Sequence, residues 1–382
     1  MSHHNTALHQ LLKPLSRHEF EAAANHHHIG QKLRKANRWD QFIGLLMSQL
    51  SSRQSLRDIE SNLHSQQHKL YHVGAKPIAR TTLARLNEQQ PFQLYQSLFY
   101  SLLKRQPANQ GNHRFRFKNP LYSLDASLID LSVSLFPWAL GREHKAAVKL
   151  HVGLNHGTGI PEFVAIGDGK QSELIAGRQF EFPKGSIVVF DKGYVDYGWY
   201  NTLRQKGIYF VSRLRPNAIY RVIERRDVDH LDGVTCDQVI ELSSAHARKR
   251  EAPRLRRIGY RCPDTGRHYV FITNHMHLSA RTIAAIYKDR WQVELFFKAI
   301  KQNLKIKAFV GTSRNAVLTQ LWIAMIAYLL VALARYAAKA GWSVQRMLRV
   351  LAVNLLERRS LKEILDPDPP DKKGEPQLRF AL

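Results

Sequence analysis

The sequence predicts a mixed α/β protein, a sheet with helices on its faces, preceded by an all-helical amino-terminal region. Three observations predict it. Apolar residues recur at helical spacing up to about residue 115, and the period changes to two from about residue 118. Strand-like and helical segments then alternate before the chain returns to helix.

The first part holds apolar-periodic helices at Phe42–Leu50 (FIGLLMSQL) and Leu94–Arg105 (LYQSLFYSLLKR). Between them Ser55 caps SLRDIESNLH, in which Leu56, Ile59 and Leu63 share a face. A break around Gly74 leads into ARTTLARLNEQ from Ala79. Two short helices about a glycine-containing break suit a helix-turn-helix whose second helix presents Arg80, Thr81, Thr82 and Arg85 to a DNA groove. The alternative is an ordinary helical hairpin with solvated polar residues.

Next come YSLDASLID, AVKLHVGLN and IPEFVAIGDG, three strands separated by Gly and Asn turns. SIVVFDKGY (Ser186–Tyr194) is a continuous apolar run ending abruptly in Asp and Gly, as a buried strand does where it leaves its sheet. DYGWYNTLRQKG reads as helix and IYFVSRLR as strand. Residues 216–270 form a strand-rich insertion whose basic run Ala247–Arg257 (ARKREAPRLRR) is either a solvated loop or an arm contacting phosphates. YVFITN is a further strand, a long helix runs from about Ser279 through Ile306, and more helices reach about Leu356. The domain boundaries expected are therefore 1–115 (helical), 116–215 (first part of the core), 216–270 (insertion), 271–356 (second part of the core) and 357–382. That last segment is Pro-rich and charged, and is expected to be disordered.

Charge indicates the partner. Lys and Arg number 57 against 31 Asp and Glu, a net +26. Such a surface attracts polyanions, since phosphate neutralisation releases counterions, although ribosomal and membrane-surface proteins are basic too. Cys236 and Cys262 lack CxxC partners, which argues against a zinc ribbon or a disulfide framework. The apolar run Trp322–Ala334 ends at Arg335, short of the roughly 20 residues a bilayer span needs, and reads as a buried helix rather than a membrane segment. The polar, His-rich amino terminus lacks the core of a secretion signal, so a reducing cytoplasm is expected.

Two features carry chemistry. Asp125 and Asp191 each end a strand, where open α/β sheets place their sites; a lone strand-end Asp is more often a turn former. Two-metal phosphoryl transfer needs such oxygen ligands for hard cations. The helix from Ser279 places Tyr287, Arg290, Glu294 and Lys301 within a stripe about 60° wide and about 21 Å long. Ile286, Val293, Phe297, Ile300 and Leu304 fall on the neighbouring, buried face. Such a stripe is either a solvated face with an Arg290–Glu294 pair or a DNA-phosphate track around a metal ligand. Trp291 and Lys298 lie beside it.

The spacing Tyr-x2-Arg-x3-Glu-x6-Lys at Tyr287, Arg290, Glu294 and Lys301 resembles the signature of the bacterial insertion-sequence-four transposases, relatives of transposons five and ten. LDASLID around Asp125, VVFDKGY around Asp191, FITN, QLWIAMIAYLL and the amino-terminal SLRDIE…VGAKPIARTTLARLNE also resemble that family, over about residues 40 to 335. Ala126 stands where many relatives have Gly or Ser, and Asp130 competes as first Asp but sits later in the strand.

The resemblance implies a ribonuclease-H-like core with a strand-rich insertion before the helix that supplies the Glu. It makes Asp125, Asp191 and Glu294 the catalytic and metal-binding triad for two Mg²⁺ ions, with Mn²⁺ as a substitute. Tyr287, Arg290 and Lys301 would contact transposon-end phosphates, with Trp291 and Lys298 as further strand contacts. It further implies double-stranded DNA as partner (terminal repeats and target), a homodimer on DNA, no membrane, and a place at the bacterial nucleoid. A non-catalytic DNA-binding remnant and a ribonuclease-H-like nuclease are the competing readings.

Overall fold

The structure, a computed structural model, describes residues 4–34, 36–51, 55–105, 113–139, 146–228, 230, 233–304, 306, 308–338 and 341–365. These form two compact units. Residues up to 105 join 303–311 and those from 319 onward; residues 106–302 join 312–318.

The helical unit begins with α1 (Ala7–Leu11), α2 (Arg17–His26), α3 (Arg38–Leu50), α4 (Leu56–Ser65), α5 (Gln67–Leu70), α6 (Arg80–Gln89) and α7 (Gln93–Leu103). Every residue of α3 is buried, so it is the axis of this unit, and Asn37 and Asp40 close a reciprocal capping box at its start. Two of its side chains are met internally: Gln41 donates to Asn87 at 2.7 Å and Trp39 to the Val73 carbonyl at 2.8 Å. Ser55 caps α4 as the sequence suggests, accepting from the Asp58 N–H at 3.1 Å. Gly74 takes the left-handed conformation (φ 63°) that ends the turn after α5, a conformation favouring glycine.

The second unit holds one sheet of nine described strands. Its first strands are β1 (Leu121–Leu131), β2 (Ala146–Asn155) and β3 (Pro161–Asp168), antiparallel neighbours. After α8 (Glu173–Gln179) come β4 (Ile187–Val189), α9 (Tyr197–Gln205) and β5 (Tyr209–Arg213). Strand β4 pairs in parallel with both β1 and β5. Three antiparallel strands followed by two parallel to the first form a ribonuclease-H-like core. The segment read from sequence as an insertion supplies β6 (Tyr220–Arg226), β7 (Val234–Leu242), α10 (Ala245–Lys249) and β8 (Leu255–Arg261). These strands continue the same sheet, because β9 (His268–Thr273) pairs with β8 on one side and β5 on the other.

Within the basic run, Arg256 is buried and donates to Asp237 at 2.7 Å. Arg257 donates to Gln238 at 3.0 Å. With Arg254, which donates to Glu241 of β7 at 2.8 Å, three of its cations are paired to the sheet, while Arg248, Lys249 and Arg250 stay exposed.

Two apolar clusters cover the sheet. Tyr122, Leu124, Val188, Phe190 and Phe210 pack with Trp199 and Tyr200 on one face. Leu121, Ile187, Val189, Val211 and Phe271 pack on the other with Ile283 and Ile286 of α11 (Ala280–Asp289). Ser279 caps α11, accepting from the Thr282 N–H at 3.1 Å. One continuous helix from Ser279 to Ile306 is not what forms. The helix breaks at Arg290 and resumes as α12 (Trp291–Asn303). Arg290 N–H bonds to the Tyr287 carbonyl and Val293 N–H to the Arg290 carbonyl, both the tighter i→i+3 type, so a uniform 100° per residue does not carry across the break. The core assignment survives it: Ile286, Val293, Phe297, Ile300 and Leu304 are all buried.

The chain ends in α13 (Arg314–Ala338), α14 (Val344–Asn354) and α15 (Leu361–Leu365). At 25 residues α13 runs beyond the apolar stretch read from the sequence and is long and apolar enough to cross a membrane, contrary to the expected shortfall in length. Its most apolar 18-residue window is 94% buried inside the protein, as in a core helix. From Thr319 on, these helices group with the amino-terminal ones: Trp322 packs on Phe99 with ring centroids 5.6 Å apart. Ile364 and Leu365 are buried, so packed structure extends into the segment expected to be disordered. Residues 366–382 of that segment lie outside the described residues.

Candidate active site

Strand alternation sets the site. Leu121, Ser123 and Asp125 point to one face of β1, and Ile187 and Val189 occupy the same face of β4. The parallel register pairs Leu121 with Ile187 and Ser123 with Val189. Asp125 lies within β1 rather than at its end as expected, and the register extended two residues past the pairing leads from Asp125 toward Asp191, whose charge acts on it. Chain separation is thus cancelled by sheet geometry.

Each acid is held locally. Asp125 Oδ1 accepts from the Ala126 N–H at 2.9 Å. Asp191 caps a short 3-10 turn, its Oδ1 accepting from the Gly193 N–H at 2.8 Å. Gly193 leaves room for these acids, since a Cβ there would stand 2.3 Å from Glu173 Oε2 and 3.1 Å from Asp191 Oδ1 and make the Glu173 side chain shift. Lys149 of β2 holds that Glu173 at 2.9 Å. Tyr194 closes the turn, and burial, reinforced by Glu173, Asp125 and Asp191, pushes its phenol far above the usual range.

Glu294 lies in the first turn of α12. Arg290, at the helix break, donates to Glu294 Oε1 at 2.6 Å and reaches Asp125 Oδ2 at 3.4 Å. One guanidinium therefore joins the strand acid to the helix acid. Burial pushes the Asp125 carboxyl up to about 6, the nearby Asp191 and Glu294 charges adding to it while the Ala126 N–H and Arg290 oppose it. Tyr287 packs on Phe271 with centroids 4.9 Å apart, beneath the Arg290 guanidinium at 5.8 Å from its ring.

The signature residues therefore divide. Tyr287, Arg290 and Glu294 converge on Asp125, whereas Lys301 sits half-buried further along α12 and Trp291 and Lys298 are exposed. On α6, Arg80, Thr81 and Arg85 are exposed and Thr82 is half-buried. Thr82 and Arg85 line a cavity of about 810 Å³ together with Lys32, Arg34 and Gln89.

Among the described residues no three His, Cys, Asp or Glu side chains stand in metal-ligand geometry as they lie. The donor chemistry nonetheless suits a hard divalent cation: three carboxylates on neighbouring elements, one with its charge disfavoured by the other two. A single cationic side chain already bridges two of them.

Sequence reasoning missed Glu173 and a buried chain of Ser123, His156 and Asp289. Ser123 Oγ lies 2.6 Å from His156 Nε2, and His156 Nδ1 lies 2.9 Å from Asp289 Oδ2. Only tertiary structure brings these three together. The one available signal was their position, Ser123 two residues before Asp125 and Asp289 immediately before Arg290.

Residues 117–330 match the family model described as a transposase DDE domain. Residues 3–76 match a model described only as a domain of unknown function. A chain of Sinorhizobium fredii named as transposase y4zB is 32% identical over 314 residues, spanning 80% of this chain and 84% of that one. One of Geobacillus stearothermophilus, named as a transposase for insertion sequence element IS5377, is 28% identical over 66% of each chain. One of Synechocystis, named for element IS4SA, is 24% identical over 83% of this chain and 87% of the other.

Proposed function

The chain belongs to the DDE transposases of bacterial insertion sequences, and we propose on that premise that Asp125, Asp191 and Glu294 are its catalytic carboxylates. It is a transposase, a DNA-binding enzyme that depends on a divalent metal. In our reading it cuts the ends of its element and joins the freed 3′-hydroxyls to target DNA. The observation that carries the assignment is Arg290 linking Asp125 to Glu294, at the place where the parallel β1–β4 register leads toward Asp191.

The three acids would hold two Mg²⁺ ions, or Mn²⁺ in their place, which polarise the scissile phosphate and lower the pKa of the attacking water when bound. The chain's own groups do the rest. Asp125 serves as a ligand in its ionised form, which its burial disfavours. Arg290 leaves the acids for a phosphate of the transposon end, an exchange between two anions that costs the guanidinium little. Tyr287 and Lys301 contact the same strand, and Trp291 and Lys298 lie exposed beside them for further contacts. Arg80, Thr81, Thr82 and Arg85 of α6 grip the terminal repeat.

Two copies act as a homodimer on paired ends, in the cytoplasm at the nucleoid, without a membrane. The net charge of +26 supports long-range attraction to DNA. The test is Mg²⁺-dependent nicking of DNA carrying the native element's ends. Alanine at Asp125, Asp191 or Glu294 is expected to abolish nicking and spare end binding. Wild-type nicking by the Glu294→Ala variant would overturn the assignment.

A further inference from the structure

We propose that Ser123, His156 and Asp289 form a buried positioning relay that fixes the helix bearing Arg290 and Glu294 against the strand bearing Asp125. This inference rests on the carboxylate assignment above.

The three side chains form a continuous hydrogen-bonded line. Ser123 is fully buried, the His156 side chain is 0% exposed and that of Asp289 is 10% exposed. The donors can be assigned from chemistry. A carboxylate only accepts, so His156 Nδ1 carries the proton given to Asp289 Oδ2 at 2.9 Å. Nε2 of the same ring meets the Ser123 Oγ at 2.6 Å and, in the tautomer with its proton on Nδ1 alone, accepts from the Ser123 hydroxyl. The backbone N–H of His156 also donates to the Leu121 carbonyl at 2.9 Å, which fixes the ring's origin to the same strand.

The atoms are those of a nucleophile triad, but Ser123 has no access to solvent or substrate. What the line connects is informative. Ser123 precedes Asp125 by two residues on the same face of β1. Asp289 is the last residue of α11 and the immediate neighbour of Arg290, where the helix breaks. An acid at a helix carboxyl end runs against the helix dipole, so its retention needs compensation. Arg114 supplies it at 3.1 Å and Gln292 of α12 at 2.8 Å, beside the His156 bond. Asp289 thus ties together the end of α11, the first turn of α12 and, through His156, the catalytic strand. A buried polar line of this kind is costly to leave half-satisfied and so has one geometry. Displacing an acid by about 1 Å is enough to lose about a hundredfold in rate.

The test compares Asp289→Ala with Asp289→Asn in the full-length protein. Asparagine keeps the shape and an acceptor oxygen for His156; alanine does not. Single-turnover nicking of DNA bearing the native element's ends is measured, with end-DNA affinity, Mn²⁺ affinity by calorimetry and the melting midpoint. Asp289→Ala is expected to nick at least tenfold more slowly and bind Mn²⁺ several-fold more weakly, with end-DNA affinity within about twofold of wild type. Asp289→Asn is expected to recover to within about threefold in both. Ser123→Ala should reproduce the alanine pattern.

Wild-type nicking and Mn²⁺ affinity in Asp289→Ala overturn the relay. So does a loss in which both variants fall equally and in step with the melting midpoint. The Asp125→Ala control separates the two claims: if it nicks like wild type, the carboxylate assignment fails, and if it is dead while Asp289→Ala is unimpaired, only the relay fails.

Discussion

Arg290 donates a 2.6 Å hydrogen bond to Glu294, one turn further along the chain, across a break in the helix that carries them both. The same guanidinium reaches Asp125 at 3.4 Å. It stands as counter-charge to two of the acids assigned to the metal, and so competes with a cation for them.

Arg290→Ala is therefore expected to bind Mn²⁺ about tenfold more tightly than wild type without DNA, about 1.4 kcal/mol. Cleavage should nonetheless fall, because the phosphate contact is lost. Calorimetric titration measures the first effect, and unchanged or weaker Mn²⁺ binding contradicts the competition.

The burial of Asp125 has a cost for folding. Its carboxyl is raised from 3.8 to about 6. The stability it contributes is fully present below about pH 4 and is lost as pH rises through about 6. In metal-free protein, Asp125→Asn should thus gain about 2 kcal/mol at pH 7 and nothing at pH 4, as read from urea unfolding at both. An equal effect at the two values contradicts this.

His151 has the opposite sign. It is fully buried on β2 with neither ring nitrogen hydrogen-bonded, and burial pulls it down to about 4, with Lys149 adding to the effect. Its contribution is present above about pH 6.5 and is lost as pH falls toward 4. Replacing His151 with Leu should flatten the acid side of the stability profile by about 2 kcal/mol between pH 7 and 4.5. A profile parallel to wild type argues that the ring is not neutral and buried.

Gly193→Ala tests the crowding around Asp191. The new methyl meets Glu173 Oε2 at 2.3 Å and Asp191 Oδ1 at 3.1 Å. Since Glu173 is the end of a flexible side chain, stability should change by less than about 1 kcal/mol while nicking falls at least tenfold. Adding Glu173→Ala should restore part of the rate. No recovery in the double variant means that Glu173 is not the obstacle.

Much of this was legible in the chain. The change of period near residue 118 marked where helices give way to strands, and the run ending at Asp191 marked a strand leaving its sheet. Periodicity is local, so it read these well. It could not show that β6, β7 and β8 extend the same sheet, because strand pairing across tens of residues leaves no local trace. The stripe through Tyr287, Arg290, Glu294 and Lys301 assumed a uniform helix. The break at Arg290 follows Asp289, whose partners His156 and Arg114 come from distant parts of the chain and leave no local trace. The approach of Asp191 to Asp125 likewise needed the β1–β4 register.

The central claim is that Asp125, Asp191 and Glu294 hold the metal, and the most direct measurement is the metal preference of Asp191→Cys. A thiolate binds Mn²⁺ better than the harder Mg²⁺. The variant should fail to nick element-end DNA in Mg²⁺ and regain measurable nicking in Mn²⁺. Nicking at the wild-type rate in Mg²⁺, or equal loss in both metals with end binding intact, would contradict the assignment.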